Sequence, residues 1–162
     1  MTAQEAAAFV QDGFNVGFGG FTPAGCPKVV PAAIAVRAEE EHKAGRPFSI
    51  GVFTGASTGD RLDGMLARAK AVRFRAPYQS NKDLRTLINS GETDYTDLHL
   101  SSLAQDLRYG FYGDIDVAIV EAAEVTPEGE IVPTSGVGIL PTICHLAKKI
   151  IVELNDRHPA AI

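Results

Sequence analysis

A glycine-rich stretch near the start of the chain is the first place where residue types and spacing could support chemistry. The sequence FNVGFGGFTPAGCPK, residues 14–28, holds four glycines and two prolines and begins as an apolar run. Bare backbone N–H groups at Gly19 and Gly20 can bind a carboxylate, a thioester oxygen or a phosphate. The same glycines can equally serve a tight turn. The spacing alone leaves both interpretations open.

Two nucleotide-binding motifs fit this stretch poorly. Gly17 and Gly19 give the start of a dinucleotide fingerprint, but its third glycine would fall at Thr22. The lysine of a phosphate-binding P-loop is also missing, because Lys28 follows a proline rather than a glycine. A dinucleotide or nucleoside triphosphate site is therefore disfavoured.

Ser57 and His99 are two further candidate reactive side chains. Ser57 lies in GASTG, where it caps the next helix or contacts a ligand, and capping is the commoner use. The order of residues there differs from G-x-S-x-G, which excludes a nucleophile elbow. His99 follows Asp97 by a spacing that does not place a catalytic triad, so we expect a structural histidine.

Glu121 and Glu124 are the acids of most interest. Glu121 ends an apolar strand, where a buried carboxylate must be paired, protonated or catalytic. We expect it to form an ion pair or a backbone hydrogen bond that holds the segment IVPTSGVG, residues 131–138.

Strands and helices alternate along the chain and predict the scaffold that positions these residues. The stretch IDVAIVEAA is almost entirely apolar, as expected of a parallel strand covered on both faces. We predict the α/β class, with an open, mostly parallel sheet and helices on both faces. Predicted strands are 14–18, 48–54, 71–76, 115–123 and a buried strand at 149–155. Predicted helices are 3–11, 27–44, 60–69, 81–90 and 140–147. A further helix is predicted to start with a capping box of Ser102 and Gln105. The stretch TPEGE predicts a hairpin turn.

The loops after these strands share small and polar residues. Open α/β sheets bind ligands outside the carboxyl ends of their strands. The loops there read GGFTPAG, TGASTG, RAPYQSN and EAAE. We therefore expect glycines and small hydroxyl groups to gather at one rim of the sheet.

Composition excludes several classes of function. The 162 residues carry a net charge of −5 with no basic stripe, which argues against nucleic acid as a partner. No apolar stretch reaches the length of a membrane span, and the start has acids but no basic signal-peptide region. Two distant cysteines predict reduced thiols in the cytoplasm, and four scattered histidines without C-x-x-C predict no metal site.

Six motifs in order resemble the N-terminal part of the acetyl-CoA hydrolase/transferase family, which includes succinyl-CoA:acetate and 4-hydroxybutyrate CoA-transferases. Any one of them is weak, but together they cover essentially the whole chain. The motifs are GGFTPAGCPK, GASTGDRLDG, RAPYQSN, INSGETDYTDLHLS, YGDIDVAIVEA and GEIVPTSGVG.

The resemblance implies an acyl-CoA:carboxylate CoA-transferase built of two similar open α/β halves. A glutamate carboxylate attacks the thioester of the acyl-CoA, an anhydride and then a glutamyl-CoA thioester form, and a second acid takes the CoA. The substrates are a coenzyme A thioester and small carboxylic acids, and neither a metal nor a redox cofactor is needed. By alignment, the wall of the acyl pocket in this half comprises Gly19, Gly20, Phe21, Thr22, Ser57 and Ser80.

The resemblance also implies that the catalytic glutamate lies outside this sequence, in the C-terminal half. We therefore expect residues 1–162 to form an N-terminal domain of a longer chain, inactive alone and homo-oligomeric when complete. The alternatives are an acetyl-CoA hydrolase, in which water replaces the acceptor acid, and a ligand-binding domain without chemistry. Relatives often have tyrosine at Cys26, and we expect this thiol to be structural.

Overall fold

A seven-stranded sheet organises residues 1–158, the part of the chain that this computed structural model describes. The strands are β1 Asn15–Phe18, β2 Ile50–Thr54, β3 Val72–Ala76, β4 Asp94–Tyr95, β5 Val117–Val125, β6 Ile131–Pro133 and β7 Lys149–Leu154. The helices are α1 Ala3–Ala7, α2 Val29–Lys43, α3 Met65–Arg68, α4 Lys82–Ser90, α5 Leu100–Arg108 and α6 Leu140–Leu146, and a π-helical turn, Asp60–Gly64, precedes α3. None of these helices combines the length and the apolar character needed to cross a bilayer.

Strand order across the sheet is β4–β3–β2–β1–β5, and β5 also pairs with β6 and β7. All pairings are parallel except the β5–β6 hairpin. Along β5, Val117 and Ile119 join one apolar core, while Ala118 and Val120 join the core on the opposite face. Helices α1 to α4 pack on the first face, and α5 and α6 pack on the second. The predicted α/β class and sheet are therefore confirmed.

The two N-terminal helices are shorter than their sequence predicts. Helix α1 ends at Ala7 instead of continuing to Gln11, because the N–H of Val10 turns back to bond the carbonyl of Ala7. Helix α2 begins at Val29, so Pro27 precedes the helix instead of lying in its first turn.

The capping box predicted for α5 is wrong. Helix α5 begins at Leu100 with His99 at its N-cap, which places Ser102 inside the first turn. The N–H of Ser102 already bonds the carbonyl of His99. The side chain of Gln105 instead donates to the hydroxyl of Tyr109 at 3.1 Å.

Strand β7 was predicted to be buried, and this is also wrong. Within residues 1–158 it pairs only with β5. Ile151 packs into the core, but Ile150 and Leu154 are 41% and 62% exposed. The apolar sequence KIIVELN therefore belongs to an edge strand of the described sheet.

The β5–β6 hairpin carries the chain over the carboxyl end of β1. Its predicted turn is present, with the N–H of Thr126 bonded to the carbonyl of Glu130 at 2.9 Å. Ala122 pairs with Leu154 of β7 and with Pro133 of β6, so β6 lies on the same side of β5 as β1. The segment after β6 is thereby placed at the rim where β1 and β2 end.

Candidate functional site

Three loops meet backbone to backbone at this rim. An added Cβ at Gly138 would lie 2.1 Å from the carbonyl oxygen of Gly20, and one at Gly55 would lie 2.6 Å from the same oxygen. An added Cβ at Gly25 would lie 2.4 Å from the carbonyl oxygen of Gly136. No side chain fits at these points, so glycine joins the loops after β1, β2 and β6. We call Gly20, Gly25, Gly55, Gly136 and Gly138 the glycine junction.

Packing inside the protein also accounts for the remaining glycines of the first loop. An added Cβ at Gly17 would lie 2.7 Å from Ile143 of α6, and one at Gly19 would lie 3.1 Å from Val120 of β5. Gly19 and Gly20 are buried. A ligand is therefore not required to explain glycine at positions 17, 19 and 20. Ligand binding by the backbone of Gly19 and Gly20 stays a prediction.

The tip of the first loop, by contrast, reaches solvent. Phe21 and Ala24 exchange backbone hydrogen bonds of 2.9 and 3.2 Å, which closes a tight turn. Within it Thr22 has a φ of +56°, in the left-handed region that a β-branched residue rarely adopts. Phe21 is 45% exposed and Thr22 is exposed. Strained residues of this kind concentrate at functional sites.

Ser57 and Ser80, far apart in sequence, form a hydrogen-bonded pair at the same rim. Their Oγ atoms are 2.9 Å apart, and the N–H of Ser80 donates to the Oγ of Ser57 at 3.0 Å. The π-helical turn after Ser57 has Gly59 at its N-cap, so helix capping is not the role of Ser57. Whichever hydroxyl donates within the pair, the other has a proton free of partners among the described residues.

A buried ion pair that sequence reasoning missed holds the Ser57 loop. Arg75 at the end of β3 is fully buried and donates to both carboxylate oxygens of Asp63, at 2.8 and 3.1 Å. The guanidinium also donates to the carbonyl of Ala56 at 3.1 Å, and Asp63 accepts from the N–H of Thr58 at 2.9 Å. Both neighbours of Ser57 are thereby fixed. An arginine near the end of a predicted strand was the available signal, because an arginine that the fold buries there requires a carboxylate partner.

Glu121 has the structural role that its position predicted. Its carboxylate pairs with the ammonium of Lys28 and accepts from the hydroxyl of Thr134 at 2.9 Å, which holds the segment after β6. Burial alone would raise the pKa of Glu121, but hydrogen bonds from Lys28, Thr134 and Asn155 outweigh burial and lower the pKa. Glu121 is therefore ionised and engaged at neutral pH.

The N-terminus of α2, the usual anion site after such a loop, is occupied by the protein itself. The carboxylate of Glu153 on β7 accepts from the N–H groups of Lys28, Val29 and Val30 at 2.7, 2.9 and 2.6 Å. A carboxylate there satisfies the exposed N–H groups and the helix dipole. It leaves no room for a phosphate on those groups.

The remaining candidate residues lie away from the rim or are inert. Cys26 is buried, donates its thiol to the carbonyl of Thr22 at 2.8 Å, and burial raises its pKa to about 12. His99 is exposed and makes no side-chain cap at the start of α5. Across residues 1–158, no group of three potential metal ligands forms.

Comparison with known proteins shows the family to which the chain belongs. Residues 1–161 match the family described as the acetyl-CoA hydrolase/transferase N-terminal domain. The chain belongs to the acetyl-CoA hydrolase/transferase family. A propanoyl-CoA:succinate CoA transferase of Escherichia coli strain K12 is 51% identical over 158 residues, which cover 98% of this chain and 32% of that protein. A succinyl-CoA:acetate CoA-transferase of Clostridium kluyveri is 42% identical over 161 residues, with 98% and 29% covered.

A solved structure with low sequence identity shares the fold of this member of the family. The glutaconate coenzyme A-transferase of Acidaminococcus fermentans superposes with a TM-score of 0.70 at 15% identity, covering 94% of this chain and 68% of that one. The chain spans about a third of the length of the curated relatives that it matches. It corresponds to the N-terminal domain of the family.

Proposed function

We propose that this chain is the N-terminal half of an acyl-CoA:carboxylate CoA-transferase of the acetyl-CoA or succinyl-CoA type. Its role is to form one wall of the pocket for the acyl group and the acceptor carboxylate. Family membership and two CoA-transferases among its relatives support this proposal. The two unpaired cysteines, Cys26 and Cys144, suit a cytoplasmic location.

The observation that carries the proposal is the Ser57–Ser80 pair beside the loops of the glycine junction. A hydroxyl proton without a partner is a suitable donor to a carboxylate or a thioester oxygen. Phe21 and Thr22, held out by the packed backbone of Gly19 and Gly20, supply the exposed surface beside it. Because Arg75 and Asp63 fix the serine loop, the donor is positioned before a ligand arrives.

The nucleophile in this proposal comes from the C-terminal half. A glutamate carboxylate there attacks the thioester carbonyl, and the CoA thiolate leaves to give an acyl-glutamyl anhydride. The thiolate then attacks the glutamyl carbonyl of the anhydride, which forms the glutamyl-CoA thioester and releases the first acid as its carboxylate. A second carboxylic acid then takes the CoA. Glu121 is unsuited to that role, because its carboxylate is buried and held by Lys28 and Thr134.

Hydrolysis of acetyl-CoA is the second candidate, since the family description names both activities. Water then replaces the acceptor acid at the same intermediate. A chimera separates the two, in which this chain replaces the 158-residue stretch that it matches in the E. coli transferase.

We expect the chimera to turn over propanoyl-CoA repeatedly only when succinate is present; without succinate it should consume about one equivalent per active site and stop. Continued turnover without any acceptor would identify a hydrolase. A folded chimera that consumes propanoyl-CoA in neither condition would contradict both, and would favour a ligand-binding domain without chemistry.

A further inference from the structure

Strand β7 presents an open edge to solvent in the described structure. The N–H groups of Lys149 and Asn155 bond the carbonyls of Asp116 and Ala122, at 3.2 and 2.8 Å, and so point toward β5. Alternate residues of a strand direct their backbone groups to opposite sides. The N–H and C=O groups of 150, 152 and 154 therefore point away from β5.

The two charged residues of β7 leave this edge open, because Lys149 lies over the ring of Phe9 and the carboxylate of Glu153 is bound at the N-terminus of α2. Edge strands are normally blunted by charges, proline, bulges or a covering helix. Here the residues whose backbone groups point away from β5 are Ile150, Val152 and Leu154, which are all apolar, and the side chains of Ile150 and Leu154 are 41% and 62% exposed. An edge of this kind is a template for another strand.

A groove of about 890 Å³ runs along the edge. Its apolar lining includes Phe9, just after α1, and Val29 of α2, which are 40% and 60% exposed, together with Ile150 and Leu154. A strand that paired with β7 would lay its side chains on this lining.

The charges of the groove favour an occupant with acidic residues. Glu121 is neutralised by Lys28, and Glu153 is neutralised by the N-terminus of α2. Three further cations, Arg61, Lys149 and Arg157, line the groove with one further acid, Asp156. None of the four forms an ion pair within residues 1–158, so the excess charge is positive. The ammonium of Lys149 lies only over the ring of Phe9, at 4.3 Å.

We propose that β7 pairs with a β-strand from the rest of the full-length transferase, an apolar strand that carries at least one acidic residue. This inference rests on the proposed function, because the occupant follows from relatives about three times as long as this chain. The sheet then continues past β7, and the groove becomes part of the contact between the two parts of the enzyme.

Hydrogen exchange tests the pairing directly, because it reports each amide separately. In a monomeric 162-residue chain, the amides of Ile150, Val152 and Leu154 should exchange freely, while that of Ile151 is protected. In the chimera with the E. coli transferase, the same three amides should exchange at least ~100-fold more slowly. Equal exchange in the two proteins would overturn the proposal. Protection that appears only in a dimer of the 162-residue chain would also overturn it, in favour of a second copy.

Two proline variants give an independent test. Val152→Pro removes an outward N–H and spares the β5 pairing, while its lost contact with the core is common to both proteins. It should therefore lower the melting temperature of the chimera more than that of the 162-residue chain. Ile151→Pro removes a bond to β5 and should lower both. A chimera that Val152→Pro destabilises no more than the 162-residue chain would contradict the pairing.

The outcomes distinguish this inference from the proposed function. Protected edge amides in a chimera without transferase activity would support the pairing and refute the function. An active chimera whose edge amides exchange freely would support the proposed function and refute the pairing of β7.

Discussion

At the scale of single residues, the hydroxyl pair of Ser57 and Ser80 is the feature closest to the proposed chemistry. Ser57 is only 7% exposed, and its Oγ accepts the N–H of Ser80. Because the two hydroxyls hydrogen-bond to each other, the one proton of the pair that remains free is held in a defined direction. That direction is what a pocket for carboxylates needs.

Replacing Ser57 by alanine tests this role. Ser57→Ala in the chimera should raise the KM for succinate about 10-fold, because one hydrogen bond to a charged group is lost. Steady-state kinetics at varied succinate provide the measurement. The matched control is Ser101→Ala, an exposed serine on α5, which should leave KM unchanged. Equal KM values for the Ser57 variant and the parent would place the acceptor elsewhere.

Glu121 gives a second prediction at this scale, on pH dependence. Its pKa is lowered in the folded state from an ordinary value of 4.5, so its pairing stabilises the fold above that pH. This stabilisation should be lost as the pH falls below 4.5 toward the folded pKa. Urea unfolding from pH 7 to pH 3 should therefore show a steeper loss in the parent than in Glu121→Gln. The control is Glu39→Gln, an exposed residue on α2, which should keep the parent's slope.

At the scale of elements, the glycine junction explains how three loops share one rim. Gly138 has a φ of +55°, and an added Cβ would lie 2.1 Å from the carbonyl oxygen of Gly20. Gly129, with a φ of +87°, has no atom within 4 Å of its added Cβ. Comparing alanine substitutions at Gly129 and Gly138 therefore separates the free-energy cost of a left-handed φ from the cost of the close approach between the loops.

Gly129→Ala should destabilise the chain by about 1–2 kcal/mol, the cost of a left-handed alanine. Gly138→Ala should cost at least ~2 kcal/mol more, because the loops must move apart. Chemical denaturation of the two variants checks the difference. Equal losses would show that the loops are not packed against each other.

The ion pair of Arg75 and Asp63 sets the second prediction for elements. Arg75→Met leaves a buried carboxylate unpaired and should cost about 3–5 kcal/mol. Arg68→Met breaks exposed pairs with Asp60 and Asp83 and should cost less than about 1 kcal/mol. Urea unfolding measures both. A small loss for Arg75→Met would mean that the pair does not hold the loop after β2.

Elements with a strong local pattern could be predicted from the sequence. The stretch around β5 is apolar at successive positions, which matches burial on both faces. Strand β7 has the same character, yet its burial depends on whether another strand lies beside it, which local sequence does not encode. The Ser57–Ser80 contact was likewise invisible, because two loops meet there only after β2 and β3 pair.

At the scale of the whole molecule, the described residues provide one wall and one open edge. At the rim, Phe21, Thr22 and Ser80 face outward and Ser80 is bonded to the buried Ser57. The groove at β7 lies beside the hairpin that anchors the rim through Glu121. In the proposed enzyme, both the rim and the groove face the rest of the full-length chain. The expected homo-oligomer stays a prediction.

The central claim is that this chain shapes the pocket and that the nucleophile comes from the rest of the enzyme. The most direct test is to incubate the chimera with propanoyl-CoA, without acceptor, and to map the covalent CoA adduct by mass spectrometry. We predict an adduct on a glutamate in the E. coli portion and none on the 162-residue chain. An adduct on Glu121 or Glu124 would contradict the account, because the chain would then carry its own nucleophile.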